Sequence, residues 1–169
     1  MRGTAFLIAV ALPLAACTSN PVPDGYTGSI VRITDSVTPR SSTSADFFYL
    51  SKVNGRRIED SLSITKQVNS GQGFAMIPRV IGRVVPAEPS TFTIVGRTHY
   101  AAPILDLMNT VYEVSGETKF TPIPHQSYVV KGVLGENYSA VWIEDSQTGE
   151  VVGQKIEIKG SSALGILEK

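Results

Sequence analysis

The chain has 169 residues but only one cysteine, Cys17, and two histidines, His99 and His125. A lone cysteine has no partner for an intrachain disulfide, so stability must come from an apolar core. These three residues follow no ligand spacing of the zinc-finger or zincin kind. Long apolar runs are missing as well. The stretch from Ala5 to Ala16 contains Pro13 and falls short of the roughly 20 residues that a membrane-spanning helix needs. Charge of one sign is not in excess: 15 Lys and Arg face 15 Asp and Glu. Without Arg2 the balance is 14 against 15, a formal charge of −1. Arg56, Arg57, Arg79, Arg83 and Arg97 are scattered along the chain. That argues against nucleic acid or an anionic membrane surface as the main partner.

Catalytic signatures are also lacking. Serines are plentiful, yet no Gly-x-Ser-x-Gly elbow occurs. Ser70-Gly71-Gln72-Gly73 lacks the Lys and Ser/Thr that complete a phosphate loop. Asp145 to Glu150 does not have the acidic spacing of a calcium loop and reads as a hairpin turn. Glu88, Glu113 and Glu117 are candidate carboxylates for acid/base work, but nothing local places them together.

What is present begins at the N-terminus. Met1-Arg2 gives a positive start, Ala5 to Leu14 gives a short apolar run, and Leu14, Ala15 and Ala16 precede Cys17. This is the layout of a secretory signal. Leu14-Ala15-Ala16-Cys17 resembles the lipobox of bacterial lipoproteins. The resemblance implies cleavage before Cys17 and acylation of that cysteine. One acyl chain binds a membrane only marginally, whereas two or more hold firmly. Lipoproteins of this kind carry three chains, so the implied anchor is permanent. Thr18 replaces the Asp that marks inner-membrane retention in that family, which implies the outer membrane, periplasmic face. The expected organisation is a signal peptide over 1–16, a lipidated tether over 17–25 that lifts the domain off the lipid, and a β-domain over 26–169.

The rest of the chain reads mostly as strands. In Thr91 to Tyr100, Phe92, Ile94, Thr98 and Tyr100 share one face, and Thr91, Thr93, Arg97 and His99 the other, a period of two. Tyr138 to Glu144 is apolar on both faces, and Val151 to Lys159 alternates again. With Gly149 placed for positive φ between them, the two form a hairpin. Further strands are expected over Ser29–Thr34, Asp46–Val53, Phe74–Val85, Leu105–Val114, Lys119–Ile123 and Gln126–Val133. Ile58, Leu62 and Thr65, closed by Asn69-Ser-Gly71, predict a short helix over Ile58–Val68. The competing signal is Asn54-Gly55, a hairpin turn if Ile58 begins a strand. The fold expected is mainly β, a sandwich of about seven to nine antiparallel strands with one short helix. Tyr138 and Trp142 are expected between the sheets. The pattern resembles small proteobacterial lipoproteins with one transthyretin-like or immunoglobulin-like β-domain, through Cys17 and through Gln126-Ser-Tyr-Val-Val-Lys-Gly with the hairpin that follows it.

His99 and His125 read as solvated surface residues. The sharper alternative brings them together with Asp106 or Glu113 as a third ligand of a metal site. Tyr100, Tyr112, Tyr128 and Trp142 are the aromatics on which a sugar could stack, against a default of core packing. The function expected is a non-enzymatic, lipid-anchored envelope module without a cofactor. It would hold membrane lipid through Cys17 and recognise an envelope protein partner. The alternatives are a transthyretin-like docking lipoprotein of a secretion apparatus and a small periplasmic Ser/His hydrolase.

Overall fold

Two five-stranded sheets pack face to face in a sandwich-like arrangement. The computed structural model describes residues 19–169; the signal segment, Leu14, Ala15, Ala16 and Cys17 lie outside the described residues. The first sheet has the order β10 (Val151–Lys159), β9 (Tyr138–Asp145), β8 (Ser127–Val133), β1 (Ile30–Thr34) and β5 (Gly82–Pro86). The second has β2 (Ser36–Pro39), β3 (Ser44–Val53), β6 (Ser90–Tyr100) and β7 (Glu113–Phe120), with β4 (Arg56–Arg57) paired to β3. The pairings are antiparallel except β1 with β8, which is parallel. Two helices, α1 (Ser61–Asn69) and α2 (Pro103–Met108), complete the fold. Among the described residues no helix is long and apolar enough to cross a membrane.

Period-two alternation builds the main core. Ile33, Leu50, Phe92, Ile94, Val130 and Ile143 turn inward from five strands and are completely buried. The chain changes sheet over one residue, Asp35, between β1 and β2. That carboxylate is buried and ties three further elements, β3, α1 and β5, to the crossover. It accepts from the amides of Leu50 (3.0 Å) and Ser61 (3.0 Å), and both Arg83 guanidinium nitrogens clasp it, Nη1 at 2.9 Å. A buried charge needs such partners.

β3 is covered on both faces. Phe48 and Leu50 enter the main core, while Phe47 and Tyr49 meet Leu62 of α1 and Val95 in a second, smaller cluster. α1 therefore roofs the outer face of the second sheet, a face that alternation alone assigns to solvent. The helix begins at Ser61 and not at Ile58, because the Ile58 amide still pairs with the Ser51 carbonyl (3.1 Å) and Asp60 caps the Ser63 amide (2.8 Å). The hairpin signal is realised too. Asn54 and Gly55 adopt φ 49° and 78°, the turn that Asn-Gly favours, and β4 follows at once.

Phe74–Val85 forms a strand only from Gly82. The segment before it runs along α1, and helix side chains take the place of a neighbouring strand. Ser61, Thr65 and Asn69, one turn apart, accept from the amides of Ile81 (2.9 Å), Arg79 (2.8 Å) and Ile77 (2.9 Å). This is why three polar residues of α1 are buried. Leu105–Val114 is not a strand either. Pro103 opens α2, where its missing N–H costs nothing, and β7 continues unbroken from Glu113 through Gly116.

Trp142 and Tyr138 do not sit between the sheets. β9 is apolar on both faces, and Val141 and Ile143 take the core side. Trp142 is left on the outer face, its indole N–H donating to Glu144 (2.9 Å) with the Lys155 ammonium 4.6 Å from the ring centroid. The aromatics of the main core are Phe48, Phe92 and Tyr128. The expected tether is also shorter than its composition implies, since the Ser19 amide and hydroxyl both bond the Arg57 carbonyl (2.9 and 3.1 Å). The fold holds the chain from Ser19 onward.

Candidate functional site: a cationic groove between the helices

A recess lies on the outer face of the second sheet, where β6 ends. Its floor follows from the strand period: Thr98 is buried in the sandwich, so Arg97 and His99 project outward. One wall is the last turn of α1 with Thr65, Lys66 and Asn69. The other is the turn Ala101-Ala102-Pro103 and Asp106 of α2. Met76 and Lys169 complete it, enclosing about 490 Å³. That size suits a small-molecule ligand.

The charges in the groove are mostly matched. Arg97 and Glu113 are opposite residues of β6 and β7 and form an ion pair. His99 Nδ1 lies 3.3 Å from Asp106 Oδ2, and the Tyr100 amide donates to Asp106 Oδ1 (3.1 Å). Burial disfavours the Asp106 charge, but the bonds from His99 and Tyr100 prevail and hold its carboxyl below the usual range. Lys66 differs. It joins none of the ion pairs found among the described residues. The groove walls desolvate its ammonium and Arg97 repels it, so it titrates below the usual lysine range.

The structure thus joins His99 to Asp106 and Arg97 to Glu113. It does not bring in His125, which sits exposed in the β7–β8 loop with φ 68°. Among the described residues no three His, Cys, Asp or Glu side chains gather as a metal site. His99 with Asp106 is the base-and-orienting half of a nucleophilic system, and Ser70 lines the same groove. No serine hydroxyl is hydrogen-bonded to His99 among the described residues. The aromatics considered for sugar stacking are dispersed. Tyr128 is core, Tyr100 and Tyr112 are half-buried near α2 and β7, and Trp142 lies on the first sheet's outer face.

Lys66 went unnoticed in the sequence, and Arg97 appeared only as one scattered charge. The available signal was the pair Arg97 and His99, two apart on a strand whose opposite face is apolar. Compared with family models, curated proteins and solved structures, the chain matches none.

Proposed function

We propose that this chain is a lipid-anchored envelope protein of the outer membrane that works by binding, with its groove turned away from the lipid. Acylated Cys17 is the anchor, and an envelope protein is the partner class. Leu14-Ala15-Ala16-Cys17 supports the anchor, and the place where the chain enters the fold supports the orientation. Ser19 is pinned to Arg57, and Arg57 pairs with Lys52 near the end of β3. The groove lies at the other end, where Ala45 and Phe47 pair with His99 and Arg97. From Lys52 to Ala45 the strand advances about 23 Å. Only Thr18 separates Cys17 from the pinned Ser19, a reach of about 7 Å. A lipid on Cys17 therefore holds the β3–β4 hairpin against the membrane and presents the groove to the periplasm. Fixing a weak binder at a surface also raises its effective concentration for a membrane-bound partner.

A second reading, a small Ser/His hydrolase, draws on the His99–Asp106 contact. One experiment separates the two. The wild type should incorporate labelled palmitate in a Gram-negative host, and Cys17→Ser should not. In a deletion strain, Cys17→Ser should fail to complement. An unlabelled wild type would sink the anchor. A folded, anchored His99→Ala that fails, beside a soluble form that succeeds, would favour the hydrolase.

A further inference from the structure

Lys66 forms no ion pair among the described residues, although Asp106, Asp60 and Glu113 attract it from farther off. Glu113 answers Arg97, Asp106 lies against His99, and the Lys169 ammonium bonds the Asn109 carbonyl at 2.7 Å. Lys66 and Arg97 line the same recess, and Arg97 repels the Lys66 ammonium. An anion set between them would relieve that repulsion and meet two donors at once. The α1 C-terminus opposes it with about half a negative charge, less than the full charge of Lys66 alone. Met76, Ala101, Ala102 and Pro103 give the recess an apolar side, and Thr65, Asn69 and Ser70 of the α1 end a polar one.

We propose that the groove takes an organic anion, a phosphate or carboxylate on an apolar body, with the anion between Lys66 and Arg97 and the body against Met76 and the Ala101–Pro103 turn. This rests on the binding reading and adds the chemical class of the ligand. The two halves of the site set the recognition rule. The charges exclude neutral and cationic compounds, and the apolar wall separates organic anions from inorganic phosphate.

The test uses the Cys17→Ser chain, ¹⁵N-labelled, with phenyl phosphate as probe and inorganic phosphate and phenol as its two halves. Phenyl phosphate should give saturable amide shifts at Lys66–Gly71 and Arg97–Ala102, binding about tenfold or more tightly than either half. Lys66→Gln, at an exposed helix position, should weaken it about tenfold while Lys66→Arg retains it. Arg97→Gln is the second variant should Lys66→Gln lose its dispersed spectrum. Absence of saturable shifts, equal binding of phenol, or full affinity in folded Lys66→Gln and Arg97→Gln would overturn the proposal. A palmitate-labelled chain that binds no phenyl phosphate loses this ligand class and keeps the anchored module. An unlabelled chain that binds it loses the anchor and keeps the groove.

Discussion

Adding one methyl group at Gly132 tests how closely the two sheets approach. The Phe48 ring is one contact between them. It projects from β3 over its register partner Gly96 in β6 and reaches Gly132 in β8 of the facing sheet. A Cβ on Gly132 would stand 2.4 Å from two Phe48 ring carbons and 2.5 Å from the Ala140 carbonyl oxygen. Both distances are far inside the roughly 3.5–4.0 Å optimum for such pairs. The ring is rigid, and the oxygen belongs to the backbone of β9, so neither gives way cheaply. Gly132→Ala should therefore cost about 3 kcal/mol, the upper end for overpacking. At Gly96 the nearest ring carbon would be 3.0 Å away, with Val114 Cγ1 at 3.2 Å. There the cost should be about 1 kcal/mol, part of it offset by the loss of unfolded-state freedom.

Guanidinium unfolding followed by far-UV circular dichroism reads both. With a slope of about 4 kcal/mol per molar, Gly132→Ala should move the midpoint by about 0.75 M. Phe48→Ala supplies the internal control, because it removes both the Cδ1 and the Cε1 carbons that clash. Added to Gly96→Ala, it should abolish nearly all of the extra cost. Added to Gly132→Ala, it should recover only part, since the Ala140 oxygen remains. A Gly132→Ala midpoint within about 0.2 M of wild type, or double mutants additive within about 0.5 kcal/mol, would refute this account of the packing.

The remaining predictions concern the surface and the sheet crossover. Trp142→Ala should cost about 1–2 kcal/mol, the loss of an exposed cation–π contact and a partly covered ring, whereas Phe92→Ala, completely buried, should cost about 3–5 kcal/mol; equal melting losses would mean that Trp142 is core after all. Burial pushes Asp35 up to about 6 against the pull of Arg83 and the Leu50 and Ser61 amides. Its contribution to stability is then full below about pH 4 and is lost as pH rises through about 6, by about 3 kcal/mol. The wild type should lose that much relative to Asp35→Asn between pH 4 and 8, and a flat or widening difference in urea titrations would show the four donors outweighing burial.

How far the sequence carries the fold can be argued from a few residues. β6 and the β9–β10 hairpin are legible because alternation and turn chemistry agree there. In Arg57 to Gly71 two signals compete, Asn54-Gly55 for a hairpin and Ile58, Leu62 and Thr65 for a helix. Both are honoured, because the hairpin ends at Arg57 and Asp60 starts the helix afresh. Residues 77–81 are extended, as their apolar character suggests, yet they pair with Ser61, Thr65 and Asn69 of a helix, for which strand patterns have no signature. Trp142 shows a different limit. Where both faces of a strand are apolar, the period fixes which residues share a face but not which face is core. The groove lay furthest from view. Lys66 and Arg97 are brought together only when α1 crosses the outer face of the second sheet, and that crossing is fixed by Leu62 against Phe47, Tyr49 and Val95. Phe47, Tyr49 and Val95 lay in expected strands and Leu62 in the expected helix, with nothing to bring them together. Only Val95, an apolar residue on the face that Arg97 and His99 share, marked that face as covered. A covered outer face in a two-sheet protein requires a third layer, and the boundary of that layer is where this recess forms.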